Sequence, residues 1–184
     1  MKKNSERRSA RIKTGRLTLC GMLTALGVAV MYLGSFLDVL DLTVPVIASL
    51  FCVVAVIEMG GAVPIAVYAA TAILSAVLLP NKAPAAVYLL FAGYYPIIKE
   101  KLEGKIKNKV LRFALKMAIF NVAFAAIAAV SVFVLSIPTE RGIMAVALFV
   151  LGNVTFVLYD IALTRLITTY IRVIRPRFTF LNKR

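Results

Sequence analysis

The sequence predicts an all-α fold, a polytopic membrane helical bundle with about six transmembrane helices. Three observations carry that expectation. Of the 184 residues, 61% are hydrophobic and only 16% charged, a mixture far from that of a water-soluble domain. The apolar residues form continuous runs rich in Ala and Leu, whereas a membrane barrel needs shorter segments alternating in polarity. The 22 Lys and Arg, set against 8 Asp and Glu for a net charge of +14, gather mostly between and beyond those runs.

A helix needs roughly 20 mainly apolar residues to cross about 30 Å of hydrocarbon. The first run, 17–37, exceeds an ordinary signal-peptide core, follows a long basic segment and lacks a persuasive cleavage site; it reads as a retained span. Asp38 and Asp41 bracket the turn after it. The second run, 42–57, is shorter and stops at Glu58 and Gly60-Gly61, and the third, 62–79, closes on Pro80-Asn81-Lys82. The fourth, 84–98, opens with Pro84 in the tolerated first turn and is interrupted near its end by Pro96. Runs 113–137 and 142–167 are the fifth and sixth, separated by Pro138-Thr139-Glu140-Arg141. The short second and fourth runs either extend into their flanks or are partly re-entrant. The chain thus divides into a basic cytoplasmic segment 1–16, a transmembrane domain 17–168 and a basic cytoplasmic tail 169–184.

With six spans, twenty of the 22 basic residues lie on one side and only Lys82 and Arg141 on the other. The positive-inside rule then puts both termini in the cytoplasm of a bacterial inner membrane. Attraction to anionic lipid accounts for the basic clusters; no aromatic stacking platform accompanies them, so nucleic acid is not an expected partner. The crowded 99–112 segment reads as a cytoplasmic loop able to steer an acidic protein partner.

The composition also narrows the chemistry. The chain has no His and no Trp, so a histidine base or metal ligand is excluded, and neither a metal nor another cofactor is expected. Cys20 and Cys52 lie in apolar stretches and read as reduced packing residues. No phosphate-binding loop, paired-carboxylate motif or nucleophile-base motif is present, so the expectation is not an enzyme, and catalytic residues are not assigned. Any active transport would draw energy from a partner or a gradient.

Polar residues within apolar runs are costly and mark candidate sites. Asp160 is the foremost, with Asn153 two turns away on nearly the same face, and Asn121 and Lys116 on the preceding long run. We expect a buried cluster of Lys116, Asn121, Asn153 and Asp160, with Lys116 as counter-ion and Tyr159, Thr155 and Thr164 nearby. Its role is either an interhelical clamp or a part in transport or gating. On the outer side Asp38, Asp41, Asn81, Lys82, Tyr88, Glu140 and Arg141 come from three successive turns and could line an outward pocket, to which Asn153 could contribute from below.

Small residues recur every four positions at Gly21, Ala25 and Ala29, at Ala62, Ala66 and Ala70, and at Ala125 and Ala129. Such faces let helices approach closely, within one bundle or between subunits.

The opening stretch Arg16-Leu17-Thr18-Leu19-Cys20-Gly21-Met22-Leu23-Thr24-Ala25-Leu26-Gly27-Val28-Ala29, together with the small-residue ladder of the third run, resembles the substrate-binding S components of energy-coupling factor (ECF) transporters. The resemblance implies a six-helix membrane protein that captures a small, vitamin-like solute from outside. It also implies docking on a membrane coupling subunit powered by cytoplasmic ATPases, with Ala25 and Ala29 as docking positions beside Gly21, and Ala62 and Ala66 as supports. No vitamin-specific signature selects the solute. In size and topology the chain is also similar to the rod-shape-determining membrane proteins of the cell-wall elongation machinery, which implies a scaffold that carries no solute.

Overall fold

The computed structural model describes residues 2–37, 41–133 and 142–174. All regular structure among them is helical. The chain forms α1 (Lys2–Gly34), α2 (Thr43–Glu58), α3 (Val63–Leu78), α4 (Ala83–Val87), α5 (Tyr95–Lys105), α6 (Lys109–Phe133) and α7 (Ile143–Thr169). Widened π turns follow α4 at Tyr88–Ala92 and α7 at Tyr170–Ile174. Helix α1 runs through the basic segment at the start without a break.

Prolines and glycines punctuate the first half of the chain as their backbone chemistry requires. Pro45, Pro64, Pro84 and Pro96 all sit in first turns, where the N–H that proline lacks would have had no intrahelical partner. At the other end of α3, Leu79 is extended (φ −71°, ψ 133°) because Pro80 disfavours helix at the residue before it. After α2, Gly60 and Gly61 both take positive φ, 58° and 64°, a region open to glycine at little cost.

Among the described residues the expected six membrane-length helices are not there. Three helices among them are long and apolar enough to cross a bilayer: Thr14–Gly34 with 21 residues, Lys109–Phe133 with 25 and Ile143–Val173 with 31. Helices α2 and α3 have 16 residues each, about 24 Å at 1.5 Å per residue, short of the hydrocarbon thickness. The fourth run is cut into α4, the π turn and α5, because Gly93 and Tyr94 interrupt the helix and Pro96 begins a new one. A continuous apolar run is therefore not a continuous helix here. The apolar surface itself is real: α7 exposes Ile143, Val146, Leu148, Leu151, Leu158 and Ile161 around its circumference. A helix apolar on all sides suits a membrane or a protein core, and α7 buries little against its own chain.

The elements run back and forth between two ends. At one end the Arg16 guanidinium donates to the Met59 carbonyl (3.3 Å), and the Tyr170 hydroxyl lies 3.3 Å from Glu58 Oε1. The starts of the apolar part of α1 and the end of α7 are thus together, and we call this the basic end. At the opposite end Gly34 meets Val44 so closely that a Cβ on Gly34 would strike a Val44 methyl. Between the ends the described residues pack in three clusters. Leu23, Ala55 and Val67 form the smallest, and Met31, Val44, Ala48, Ala72, Leu79 and Tyr88 form another. The third is aromatic: Phe120 and Phe156 stack at 4.6 Å, and Phe91 places its edge or face against Tyr95, Phe120, Phe156 and Tyr159 at 5.1–6.0 Å. Gly93 packs against the cluster that holds Tyr88, since a Cβ there would strike the rings of Tyr68 and Tyr88 at 2.6–2.8 Å.

Candidate functional site

The strongest polar constellation lies toward the basic end, where α5, α6 and α7 meet. On α5 the residues Tyr95, Lys99 and Glu103 recur every four positions and so share a face. Asp160 of α7 accepts hydrogen bonds from the Tyr95 hydroxyl (2.6 Å), from Lys99 and from Lys116 of α6 (3.0 Å to Oδ2). Lys99 also donates to the Thr164 hydroxyl at 2.7 Å, and Glu103 receives Lys116 at 2.7 Å and pairs with Lys99 at 3.3 Å. Lys99 is 1% and Lys116 4% exposed. Two cations and two carboxylates thus form a closed, electrically neutral set in which every charged group has at least two partners.

That closure is what permits burial, because an isolated ammonium in such a place costs several kcal/mol. Burial, the largest influence on Lys99, pulls its ammonium below the ordinary lysine value in spite of the bond to Asp160. For Glu103 burial pulls the carboxyl upward, but the hydrogen bond from Lys116 and the charge of Lys99 outweigh it and hold the group below the usual 4.5.

The other inner candidates form a separate level. Asn153 donates to the Asn121 side-chain oxygen at 3.3 Å, and each amide also donates to the carbonyl four residues back, at Phe149 and Met117. Seven residues separate Asn153 from Asp160, about 10 Å along the helix, so the expected single cluster is two: an amide pair and a charge network. Tyr159 lies between them in sequence and meets Ser49 of α2 at 3.2 Å.

Sequence reasoning missed Lys99, Glu103 and Tyr95. Lys99 was expected in a solvated basic loop, yet it lies on α5 at the centre of the network. The signal was the four-residue spacing of Tyr95, Lys99 and Glu103 directly after an apolar run.

Among the described residues the outer candidates bond to one another and to backbone or are buried in packing. Asn81 donates to both carboxylate oxygens of Asp41 at 3.1 Å and accepts the Ala83 N–H at 2.9 Å, an Asx turn that starts α4. Lys82 folds back onto the carbonyls of Ala76, Val77 and Leu79 at 2.6–3.3 Å, which satisfies the open end of α3. Tyr88 is buried in the packed cluster with Met31 and Val44. Asp38, Glu140 and Arg141 lie outside the described residues, and Asn153 faces Asn121 rather than this end.

Gly21, Ala25 and Ala29 lie on an exposed strip of α1, and nothing stands within 4 Å of a Cβ built on Gly21. Ala62 and Ala66 are exposed too. The face of α1 that does pack is carried by Leu23, Thr24, Gly27 and Met31.

The fold and site define a class: a mostly helical protein whose few long apolar helices suit a membrane, with a buried ion network joining three of its helices. Comparison with protein-family models, with curated proteins and with solved structures finds no match to this chain.

Proposed function

We propose that the chain is a bacterial inner-membrane component that works by docking its first helix against another helical membrane protein, as the S component of an ECF-type importer docks on its coupling subunit. One observation carries the reading: the strip Gly21, Ala25, Ala29 is uncovered along its length while the neighbouring face of α1 is packed. Small residues allow close helix approach, which in lipid supplies the packing that hydrophobicity does not. On this reading cytoplasmic ATPases drive the partner, a vitamin-like small solute is the cargo, and the basic end faces the cytoplasm.

The scaffold reading has an observation of its own. Asp41, Asn81 and Lys82 spend their polar atoms on one another and on helix ends, which leaves these three residues little to offer a solute. A non-transporting envelope scaffold would use the same α1 strip and need no pocket.

Affinity purification from the native membrane in mild detergent distinguishes them. Ala25→Leu and Ala29→Leu should abolish recovery of the partner while the chain stays folded; unchanged recovery sinks docking through α1. A coupling subunit with two ATPases and a retained small molecule supports the importer, whereas envelope proteins and no ligand support the scaffold.

A further inference from the structure

Near the basic end, α7 and the π turn that continues it carry charged groups that the ion network does not use. Thr164, Arg165, Thr168, Thr169, Arg172 and Val173 line an open groove of about 320 Å³ with no acidic residue in its wall. Helical periodicity puts Arg165 and Arg172 two turns apart on one face, opposite Phe156 and Leu163, by which α7 is buried. The groove therefore opens on the outside of the bundle. Among the described residues neither arginine has a hydrogen-bond or ion-pair partner. The Thr164 and Thr168 hydroxyls donate to the carbonyls four residues back at 2.7 and 2.8 Å, so the guanidinium groups are the main donors the groove offers. Exposed Ile161, Leu166 and Val173 flank them.

Position along the helix says what such donors would meet. From Ile143 to Arg165 is about 33 Å and to Arg172 about 44 Å at 1.5 Å per residue. A bilayer has about 30 Å of hydrocarbon and about 40–45 Å with its headgroups. With Ile143 at one hydrocarbon edge, Arg165 lies at the far edge and Arg172 about 10 Å beyond it, so the two long side chains reach the headgroup layer from its two sides.

We propose that this face of α7 binds the phosphate of an anionic phospholipid headgroup, held by the Arg165 and Arg172 guanidinium groups. A guanidinium matches two phosphate oxygens at once, and the lipid's tails would cover the exposed apolar flank. The inference rests on membrane embedding but not on either docking partner.

The test uses the full chain in nanodiscs of phosphatidylcholine mixed with phosphatidylglycerol, followed by native mass spectrometry of retained lipid. Phosphatidylglycerol should be retained in preference, and R165Q/R172Q should reduce that preference about tenfold or more, the loss expected from one charge-assisted hydrogen bond or more. K101Q/K105Q removes the same charge from α5 and should leave the preference unchanged. Equal loss in both double variants, or no preference in the parent, overturns the site. Displacement by millimolar inorganic phosphate also overturns it, since the occupant would then be a free anion. If the glutamine pair does not fold, R165K/R172K decides: a weakened preference supports the guanidinium contact and an undiminished one overturns it. Alkaline extraction is read separately. Release of the chain from membranes sinks membrane embedding itself, while retention without lipid preference sinks only the lipid site.

Discussion

The two ends of the bundle use the same residue types to opposite effect. At the outer end Lys82 bonds to backbone close in sequence, and Asn81 bonds the start of α4 and Asp41 in the turn before α2, so these contacts join turns and helix ends. Toward the basic end Lys99, Glu103, Lys116 and Asp160 bond across α5, α6 and α7. Contacts of the first kind finish the backbone at its turns, whereas those of the second fix three helices against one another. The difference follows from burial, because a charge held out of water must bring its counter-charge with it, wherever in the chain that lies.

The largest effect should come from breaking that closure. Asp160→Asn keeps the shape but leaves Lys99 and Lys116 sharing Glu103 alone, and it should cost about 3–5 kcal/mol, the range for removing one partner of a buried ion pair. Thermal unfolding in mild detergent would measure it. Adding Lys99→Met to Asp160→Asn should recover a large part of the loss, since the stranded cation goes with it. If Asp160→Asn melted with the parent, the network would contribute no more to the fold than the contacts between turns at the outer end.

How much of this was legible in the sequence depends on how isolated each charge is. Asp160 and Lys116 stand inside apolar helices, and their cost in such surroundings marks them without any knowledge of the fold. Lys99 stands at the head of a basic stretch, so composition alone assigns it to solvent. Its burial follows from the break at Gly93 and Tyr94 and the new start at Pro96, which set the direction of α5 and are invisible to a hydropathy count. The number of membrane-length helices failed for a related reason. Hydropathy measures how apolar a run is, not whether Pro84, a π turn and Pro96 divide it. The outer residues were legible as polar groups in turns, but whether they would face a solute or each other is decided through space.

A smaller effect is expected at the outer end. Asn81→Ala removes the acceptor for the Ala83 N–H and both bonds to Asp41, with a cost of about 1 kcal/mol, typical of losing a side chain that starts a helix. The same melting experiment reads it, and Asn81→Asp should fall further than this if Asp41 is the stronger partner, since two carboxylates would then face each other. A loss as large as that of Asp160→Asn would erase the contrast between the two ends.

The smallest effect separates charge from geometry within the network. Glu103 is at its rim and partly exposed, so Glu103→Gln at neutral pH should cost about 1 kcal/mol or less after solvent screening. Its pH dependence is the sharper readout. The folded-state carboxyl is held below 4.5, so the stability it contributes is complete above that value and is lost as the pH falls through the depressed one. The difference between parent and Glu103→Gln should therefore be constant down to about pH 5 and shrink on further acidification. Subtraction removes the titration that the two proteins share. A gap that stayed constant into strong acid would mean that Glu103 acts as a neutral hydrogen-bonding group, and the network would then carry a net positive charge in place of the neutrality that its burial requires.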